Sequence, residues 1–228
     1  MTGAGGSTAV AAWDPSSLGT ALKTWYRADS LSATPVTSWP DKSGNGNTIV
    51  SATAAPSWSA TGAANGQADV IFTRASSTSL NTSANVTAGI GTGDFSLGMV
   101  FRPAATNVSQ VMAMTGLTNT YEMGILNTGV LWLYNNGTHT LSTSVSANTW
   151  YSLILQRVSG TTSVWLNGVQ DPNTYAITGS VGDNKFYVGW DGANYFGGDI
   201  PEVFLSTQSL DTAGLNNWFG YTHSRYGI

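Results

Sequence analysis

The chain has 228 residues, of which 41% are hydrophobic and only 9% are charged, so it is long and apolar enough for one globular domain with its own core. Its 27 glycines favour turns over long helices and exclude an all-helical fold. Twelve acidic against eight basic residues and no basic cluster exclude a nucleic-acid partner, and the lack of cysteine excludes disulfides and thiolate metal sites.

Residues 1–12 form an uncharged segment of small residues, MTGAGGSTAVAA. Alone in water such a segment does not offset its ordering entropy, so we expect a flexible N-terminal arm followed by a single domain, residues 13–228. The arm lacks the basic start and leucine-rich stretch of a secretory signal. No apolar run approaches the roughly 18 residues needed to cross a bilayer, which argues against a membrane-bound protein.

From Ala21 onward, short apolar or alternating runs recur between clusters of Gly, Asn and Ser, as in antiparallel sandwiches and barrels. In chain order, the predicted strands are Leu22–Ala28, Thr48–Val50, Asp69–Phe72, Phe95–Arg102, Gln110–Thr115, Tyr121–Leu126, Val130–Tyr134, Leu141–Thr143, Trp150–Val158, Thr162–Leu166, Phe186–Trp190 and Ile200–Ser206. Apolar residues on both faces of Trp150–Val158 predict a central strand. Consecutive strands joined by tight turns predict a meander.

Two local signals are stronger than the others. Asn167-Gly168 supplies the two positive φ angles of a type I′ turn and predicts a hairpin after Thr162–Leu166. Near the C-terminus, Asp211 is suited to cap a helix whose apolar residues recur at spacings of three and four, and Gly227 is suited to end it. We expect this short helix to pack on the edge of the sandwich.

Short motifs in a specific order run through most of the chain. They are Trp25–Ser30, Val36–Trp39, Asp41–Asn47, Asp69–Phe72, Asp94–Leu97, Trp150-Tyr151, Val164–Gly168, Gly198–Val203 and Leu210–Ile228. In order and spacing they resemble the concanavalin A-like lectin/glucanase superfamily, in the laminin G-like branch common in phage virion and bacterial surface proteins. The resemblance implies an all-β jelly-roll sandwich of two antiparallel sheets, one of them concave, with binding loops at a rim.

Glucanases of this superfamily carry an E-x-D-x-x-E strand, because retaining hydrolysis needs two carboxyl groups about 5 Å apart. Glu122 and Glu202, the two glutamates of the chain, are far apart in sequence and have no acidic residue two or four positions away. His139 and His223 lack the patterned partners of nucleophilic catalysis. The sequence therefore predicts a protein without enzymatic activity.

Laminin G-like domains often hold calcium at the rim, so the resemblance makes calcium a possible cofactor, with Asp41, Asp183 and Asp191 as ligands. The alternative is that Asp41 locks its Asn/Gly-rich loop through hydrogen bonds to the backbone, as Asp in such loops usually does.

Sugar sites combine an exposed aromatic ring with amide or carboxylate groups. Two groups of residues fit: Trp132, Tyr134, Asn135, Asn136 and His139 on one hairpin, and Trp190, Asp191, Asn194 and Tyr195 in a later loop. The alternative is that these rings fill the core of a large sandwich.

The favoured function is a phage virion structural protein, such as a capsid decoration, head fibre or tail component. It would stand in many copies on the virion surface, attach to other virion proteins through the arm, and adhere weakly to host surface glycans. The first alternative is a carbohydrate-binding module of a bacterial surface or secreted protein. The second is a degenerate or active glucanase.

Overall fold

The computed structural model of the protein describes residues 12–116 and 120–228. The predicted arm, residues 1–12, lies outside these ranges except for Ala12. In chain order the strands are β1 (Leu22–Arg27), β2 (Ser38–Trp39), β3 (Ile49–Ser51), β4 (Ser57–Ser59), β5 (Asp69–Phe72), β6 (Leu80–Thr82), β7 (Phe95–Pro103), β8 (Gln110–Met114), β9 (Glu122–Ile125), β10 (Val130–Tyr134), β11 (Thr138–Ser144), β12 (Tyr151–Val158), β13 (Thr161–Leu166), β14 (Val169–Gln170), β15 (Tyr175–Ala176), β16 (Tyr187–Val188) and β17 (Gly198–Ser206). Helix α1 spans Thr212–Tyr226, and short 3-10 turns occupy Pro15–Ala21, Ala28–Ser30, Ala64–Gly66 and Arg74–Ser76.

The strands form two antiparallel sheets. The larger sheet has nine strands, in the order β14-β13-β12-β7-β17-β5-β4, with β1 also paired to β17 and β15 to β13. The smaller sheet has eight strands, in the order β11-β10-β9-β8-β16-β6-β3-β2. The predicted all-β jelly-roll sandwich with one C-terminal helix is thereby confirmed.

The local predictions for β12 and its hairpin are also confirmed. Strand β12 lies between β13 and β7 in the interior of the larger sheet. Asn167 and Gly168 have φ angles of 49° and 83°, as the type I′ turn requires. Strands β8 to β11 are sequential neighbours in the smaller sheet, which is the predicted meander.

The main core lies between the sheets. Leu97, Met99 and Leu153 of the larger sheet belong to the same buried cluster as Met123 and Leu133 of the smaller sheet. Because successive side chains of a strand point to opposite faces, the intervening residues of each strand must face outward. This alternation decides which side chains are available for binding.

Helix α1 covers part of the outer face of the larger sheet. Asp211 caps its first turn by accepting a hydrogen bond from the Gly214 amide at 2.7 Å, and Gly227 ends it with a φ of 73°. Its buried Leu215 and Trp218 join a second apolar cluster with Val100, Ile154 and Phe204 of the central strands. The predicted helix is thus confirmed, but it packs on the sheet face and not on the edge. The reason is that outward residues of β7, β12 and β17 are apolar and need a cover.

A buried carboxylate fastens the helix to this face. Glu202 of β17 is fully buried and accepts hydrogen bonds from Trp25 Nε1 at 2.7 Å and from the hydroxyls of Tyr221 and Tyr226 at 2.9 and 2.7 Å. The Tyr221 hydroxyl also accepts a bond of 3.1 Å from Arg27 Nη1. Burial raises the pKa of Glu202, and the three donors oppose that rise.

A second buried charge, Arg157, lies near the C-terminal end of β12. Arg157 is fully buried and donates hydrogen bonds of 2.7 Å to three backbone carbonyls, those of Gly91, Gly93 and Gly179. Its guanidinium also lies 5.4 Å from the ring centroids of Phe95 and Tyr121. Arg157 therefore ties two loops to the centre of the larger sheet.

Within the described residues, no helix is both long and apolar enough to serve as a transmembrane span.

Candidate functional site

The outer face of the smaller sheet carries a continuous row of large and polar side chains. In the strand register, Tyr134 of β10 is opposite Glu122 of β9, Glu122 is opposite Met114 of β8, and Met114 is opposite Tyr187 of β16. Tyr187 is in turn opposite Asn81 of β6. Cross-strand partners share a face and have Cβ atoms about 5 Å apart, so these five residues form one row on the outer side of the sheet, in which Met114 and Tyr187 are buried.

Trp132 lies beside this row and supports it. Its register partner on β9 is Gly124, and a Cβ on Gly124 would stand only 2.6 Å from Trp132 Cε2, so the indole rests directly on the glycine backbone. Trp132 is only 7% exposed, and its Nε1 has no hydrogen-bond partner among the residues that the structure describes. Its position favours packing over direct contact with a ligand.

The loop between β16 and β17 brings a second set of rings to the same face. Trp190 and Tyr195 pair through an isolated β-bridge, and their rings stack with centroids 6.1 Å apart and an interplanar angle of 21°. Trp190 also meets Tyr187 edge to face at 5.7 Å, which joins the loop to the row on the strands.

Asp191 shapes this loop and adds a charge to it. Its Oδ1 accepts hydrogen bonds from the amides of Ala193 and Asn194, and its Oδ2 accepts one of 2.9 Å from Asn194 Nδ2. The carboxylate of Asp191 is close enough to Glu122 to act on it electrostatically: burial first, and then this negative charge, raises the pKa of Glu122 to about 7.

We call the resulting surface the aromatic face. Its members share the outer side of the smaller sheet or the loop folded against it: Glu122, Trp132, Tyr134, Tyr187, Trp190, Asp191 and Tyr195. Tyr134, Trp190 and Tyr195 are half-buried, so each presents part of a ring to solvent. Flat apolar rings beside two carboxylates suit a ligand that has apolar faces and hydroxyl groups at its edges.

Of the nine residues predicted for sugar binding, the structure brings together Trp132, Tyr134, Trp190, Asp191 and Tyr195, and Asn194 lies in the same loop, bonded to Asp191. Asn135, Asn136 and His139 lie elsewhere. His139 is opposite Leu133 in the register and faces away from Trp132, with its ring 4.6 Å from that of Tyr175. Asn135 is buried, and its Nδ2 donates a bond of 2.8 Å to the carbonyl of Thr120.

Sequence reasoning missed Glu122 and Tyr187 as members of this face. The available signal was the period of two along β9, which places Glu122 and Gly124 on the side opposite Met123 and Ile125. The electrostatic interaction between Glu122 and Asp191 had no sequence signal, because it depends on how the loop after β16 folds back.

The three predicted metal ligands do not form a cluster. Asp41 accepts hydrogen bonds from the amides of Trp25, Ser43 and Asn47 at 3.0, 2.9 and 2.9 Å, and from Ser43 Oγ at 2.7 Å. These donors already occupy both carboxylate oxygens, so the site suits a locked loop and does not fit calcium. Asp183 is exposed, and within residues 12–116 and 120–228 no three acidic, His or Cys side chains are grouped to hold a metal.

No family model matches the chain, and no curated protein matches it in sequence. Solved structures do match its fold. Domain 4 of AbnA, an extracellular arabinanase of family GH43 from Geobacillus stearothermophilus, in complex with arabinotriose, is similar over 86% of this chain and 97% of its own, with a TM-score of 0.60 and 15% identity.

Two larger proteins contain a similar sandwich. Botulinum neurotoxin type C, whose passage into cells depends on interaction with two ganglioside molecules, matches 91% of this chain with a TM-score of 0.66 and 11% identity. Trypanosoma rangeli sialidase, in complex with the inhibitor DANA, matches 86% with a TM-score of 0.62 and 12% identity. The chain spans 53% of the first structure and 32% of the second. At these identities the comparisons show a shared β-sandwich fold alone.

Proposed function

We propose that the protein is a glycan-binding module whose ligand lies on the aromatic face and is not hydrolysed there. The observation that carries this proposal is the stacking of Trp190 on Tyr195, with Tyr187 joining that pair to the row that holds Glu122 and Tyr134. Two proteins with a similar sandwich add support: domain 4 of AbnA was solved in complex with arabinotriose, and cell entry of botulinum neurotoxin type C depends on interaction with gangliosides.

The chemistry of the face matches a sugar chain. The C–H face of a pyranose or furanose packs on an aromatic ring, and the Trp190 and Tyr195 rings are nearly parallel, at 21°. Ring hydroxyls need acceptors nearby, and Glu122 provides one beside Tyr134. A shallow surface of this kind binds one chain weakly, so useful attachment depends on many copies acting together.

The proposed absence of hydrolysis rests on the placement of the acids. Glu202 lies beneath helix α1 on the outer face of the other sheet, so it does not meet Glu122 across a substrate. Asp191, the acid that does approach Glu122, has both carboxylate oxygens committed to its own loop. A retaining pair needs two carboxyl groups that reach the substrate, one as nucleophile and one as acid/base, and of these three acids only Glu122 is free.

Replacing Trp190 or Tyr195 by alanine is expected to lower avidity for glycans about tenfold or more, because each change removes one of two stacked rings. The measurement is a glycan array probed with the domain multimerised on a common scaffold. Trp13→Ala is the matched control, since Trp13 packs against Tyr221 on the helix side of the molecule. Unchanged array signals for both variants, or equal loss in the control, would count against the aromatic face. Release of reducing sugar from a bound glycan would contradict the proposed lack of hydrolysis.

Binding to the aromatic face is expected to strengthen as the pH rises from about 6 to about 8. The pKa of Glu122 is raised to about 7, so the carboxylate is mostly neutral at the lower pH and mostly ionised at the higher pH. The ionised form accepts stronger hydrogen bonds from sugar hydroxyls. Glu122→Gln should abolish this pH dependence, as measured by array intensity at fixed protein concentration. Asp211→Asn, at the helix cap, is the control that should retain it.

We also propose where the module works: displayed in many copies on a phage virion, as a capsid decoration, head fibre or tail component. The low content of charge, 9%, and the resemblance of the sequence motifs to laminin G-like virion domains support this setting. A bacterial surface or secreted protein is the alternative. Sedimentation of the purified protein with phage particles tests the virion role. If the full chain binds particles and a chain without residues 1–12 does not, that segment is responsible for attachment.

A further inference from the structure

A cavity of about 480 Å³ opens at one end of the larger sheet. It lies where β5, β7 and β17 meet the chain around residues 104–108 and 148, and Ile71, Phe72 and Val108 supply apolar walls. Its charged lining residues are Arg74, Arg102 and Asp199. This volume is within the range of small-molecule sites. No side chain of the aromatic face lines it within the described residues, although the two regions adjoin, because Arg74 Nη1 donates a hydrogen bond of 3.5 Å to the backbone carbonyl of Tyr195.

Arg102 is held in place by contacts that leave the terminal nitrogens of its guanidinium without hydrogen-bond partners among the described residues. Its Nε donates a hydrogen bond of 2.8 Å to Asp199 Oδ2, and its guanidinium lies 4.7 Å from the ring centroid of Trp150. These two contacts fix the plane of the guanidinium. Its terminal nitrogens have no hydrogen-bond partner in the part of the chain that the structure describes, and the side chain is 32% exposed. A fixed guanidinium with free terminal donors is suited to a planar anionic group.

The remaining charges leave the cavity with a positive balance. Arg74 bonds the carbonyl of Ser109 through Nη1 and forms no ion pair among the described residues, so its charge is not offset. Asp199 offsets Arg102. Asp69 lies on the same strand face as Ile71 and is fully buried. Burial, and then the charge of Asp199, raise the pKa of Asp69 well above its usual range, which reduces the negative charge beside the cavity.

We propose that this cavity binds a small molecule that has an apolar body and one carboxylate, with the carboxylate on the free edge of Arg102 and the body against Ile71, Phe72 and Val108. The apolar walls contribute burial of the ligand, and the guanidinium contributes selectivity for an anion over its neutral analogue. A site of this kind recognises a single acidic unit, whereas the aromatic face recognises an extended chain.

The test uses two probes that differ in one group: 4-nitrophenyl β-glucuronide, which carries a carboxylate, and 4-nitrophenyl β-glucoside, which carries a hydroxymethyl group. Affinities are measured by isothermal titration calorimetry at pH 6. We expect the glucuronide to bind at least tenfold more tightly than the glucoside. Arg102→Gln should remove this preference.

Because Arg102→Gln also leaves Asp199 without its partner, a second variant tests the cavity without changing its charges. In Ala105→Trp, a large side chain fills the cavity from one of its lining positions. The backbone carbonyl of Ala105 accepts a hydrogen bond from Gln110 Nε2, and the substitution does not remove that carbonyl. It should reduce glucuronide binding at least tenfold. Trp190→Ala should leave glucuronide binding unchanged while it weakens glycan binding on the array.

Equal affinity for the two probes, no binding of the glucuronide, or normal binding by Ala105→Trp would each overturn the proposal. Loss of glucuronide binding in Trp190→Ala would also overturn it, since the ligand would then lie on the aromatic face. If the protein binds glycans on the array but does not bind the glucuronide, the cavity proposal is wrong and the proposed glycan-binding function is unaffected.

Discussion

Replacing Glu202 by alanine is expected to lower the free energy of unfolding by about 3–5 kcal/mol, the usual cost of removing one member of a buried charged network. The carboxylate is fully buried between helix α1 and the larger sheet, and it accepts hydrogen bonds from Trp25, Tyr221 and Tyr226. Its removal leaves three buried donors without an acceptor and a cavity beneath the helix. Urea denaturation followed by tryptophan fluorescence measures the change.

Glu202→Gln is the matched control. The amide keeps the volume of the side chain and one acceptor oxygen, but it introduces N–H donors toward the tyrosine hydroxyls, which can rotate to accept. We therefore expect a smaller loss of about 1–2 kcal/mol. A loss of less than about 1 kcal/mol in Glu202→Ala would show that the helix docks through apolar contacts alone.

Replacing Arg157 by methionine is expected to cost about 3–5 kcal/mol of unfolding free energy. Methionine retains much of the length and volume of the side chain, so the loss reports on the guanidinium. That group donates to the backbone carbonyls of Gly91, Gly93 and Gly179, each at 2.7 Å. Without it, the carbonyls of Gly93 and Gly179 lose this donor, Gly91 keeps only the Val181 amide, and the two loops lose their common attachment to β12.

Hydrogen exchange distinguishes this role from general destabilisation. Amides near residues 89–93 and 177–181 should lose protection in Arg157→Met beyond the loss seen across the rest of the sandwich. Arg157→Lys is the control, because lysine keeps the charge but lacks the several N–H donors of the guanidinium. Its amide protection in these two loops should lie between that of the unsubstituted protein and that of Arg157→Met. Uniform loss of protection would contradict the proposed role in holding the loops.

The long elements were predictable because their own residues specify them. Strand β12 carries apolar residues on both faces, and it lies in the interior of the larger sheet. The Asn167-Gly168 turn and the cap of α1 depend on backbone angles and side-chain bonds that only certain residues supply.

The short strands were not predictable in the same way. Strands β2, β4, β6 and β15 have only two or three residues each, which is too short for an alternating pattern to show. For β6 the pairing also depends on β3 and β16, which are distant from it in sequence. The predicted strand Phe186–Trp190 is shortened to Tyr187–Val188, since Gly189 has a φ of 83° and leaves the extended conformation.

In the candidate site, too, the residue types were predictable from the sequence, whereas their arrangement was not. Aromatic and amide residues were recognisable by type, but the side of the sheet on which each one falls depends on register. Thus Tyr134 and His139, five positions apart on one hairpin, face opposite ways. Glu122 was seen only as an isolated acid, and its partnership with Asp191 depends on a loop that folds back over the sheet.

The two ends of the described domain have a consequence for how it is used. Trp13 and Ile228 both pack against the apolar cluster of helix α1, on the side of the molecule opposite the aromatic face. A scaffold, bead or neighbouring module joined next to Trp13 or Ile228 would therefore hold the domain from behind, and the stacked rings would face away from it. An array of such domains on one support would present the aromatic faces in one orientation.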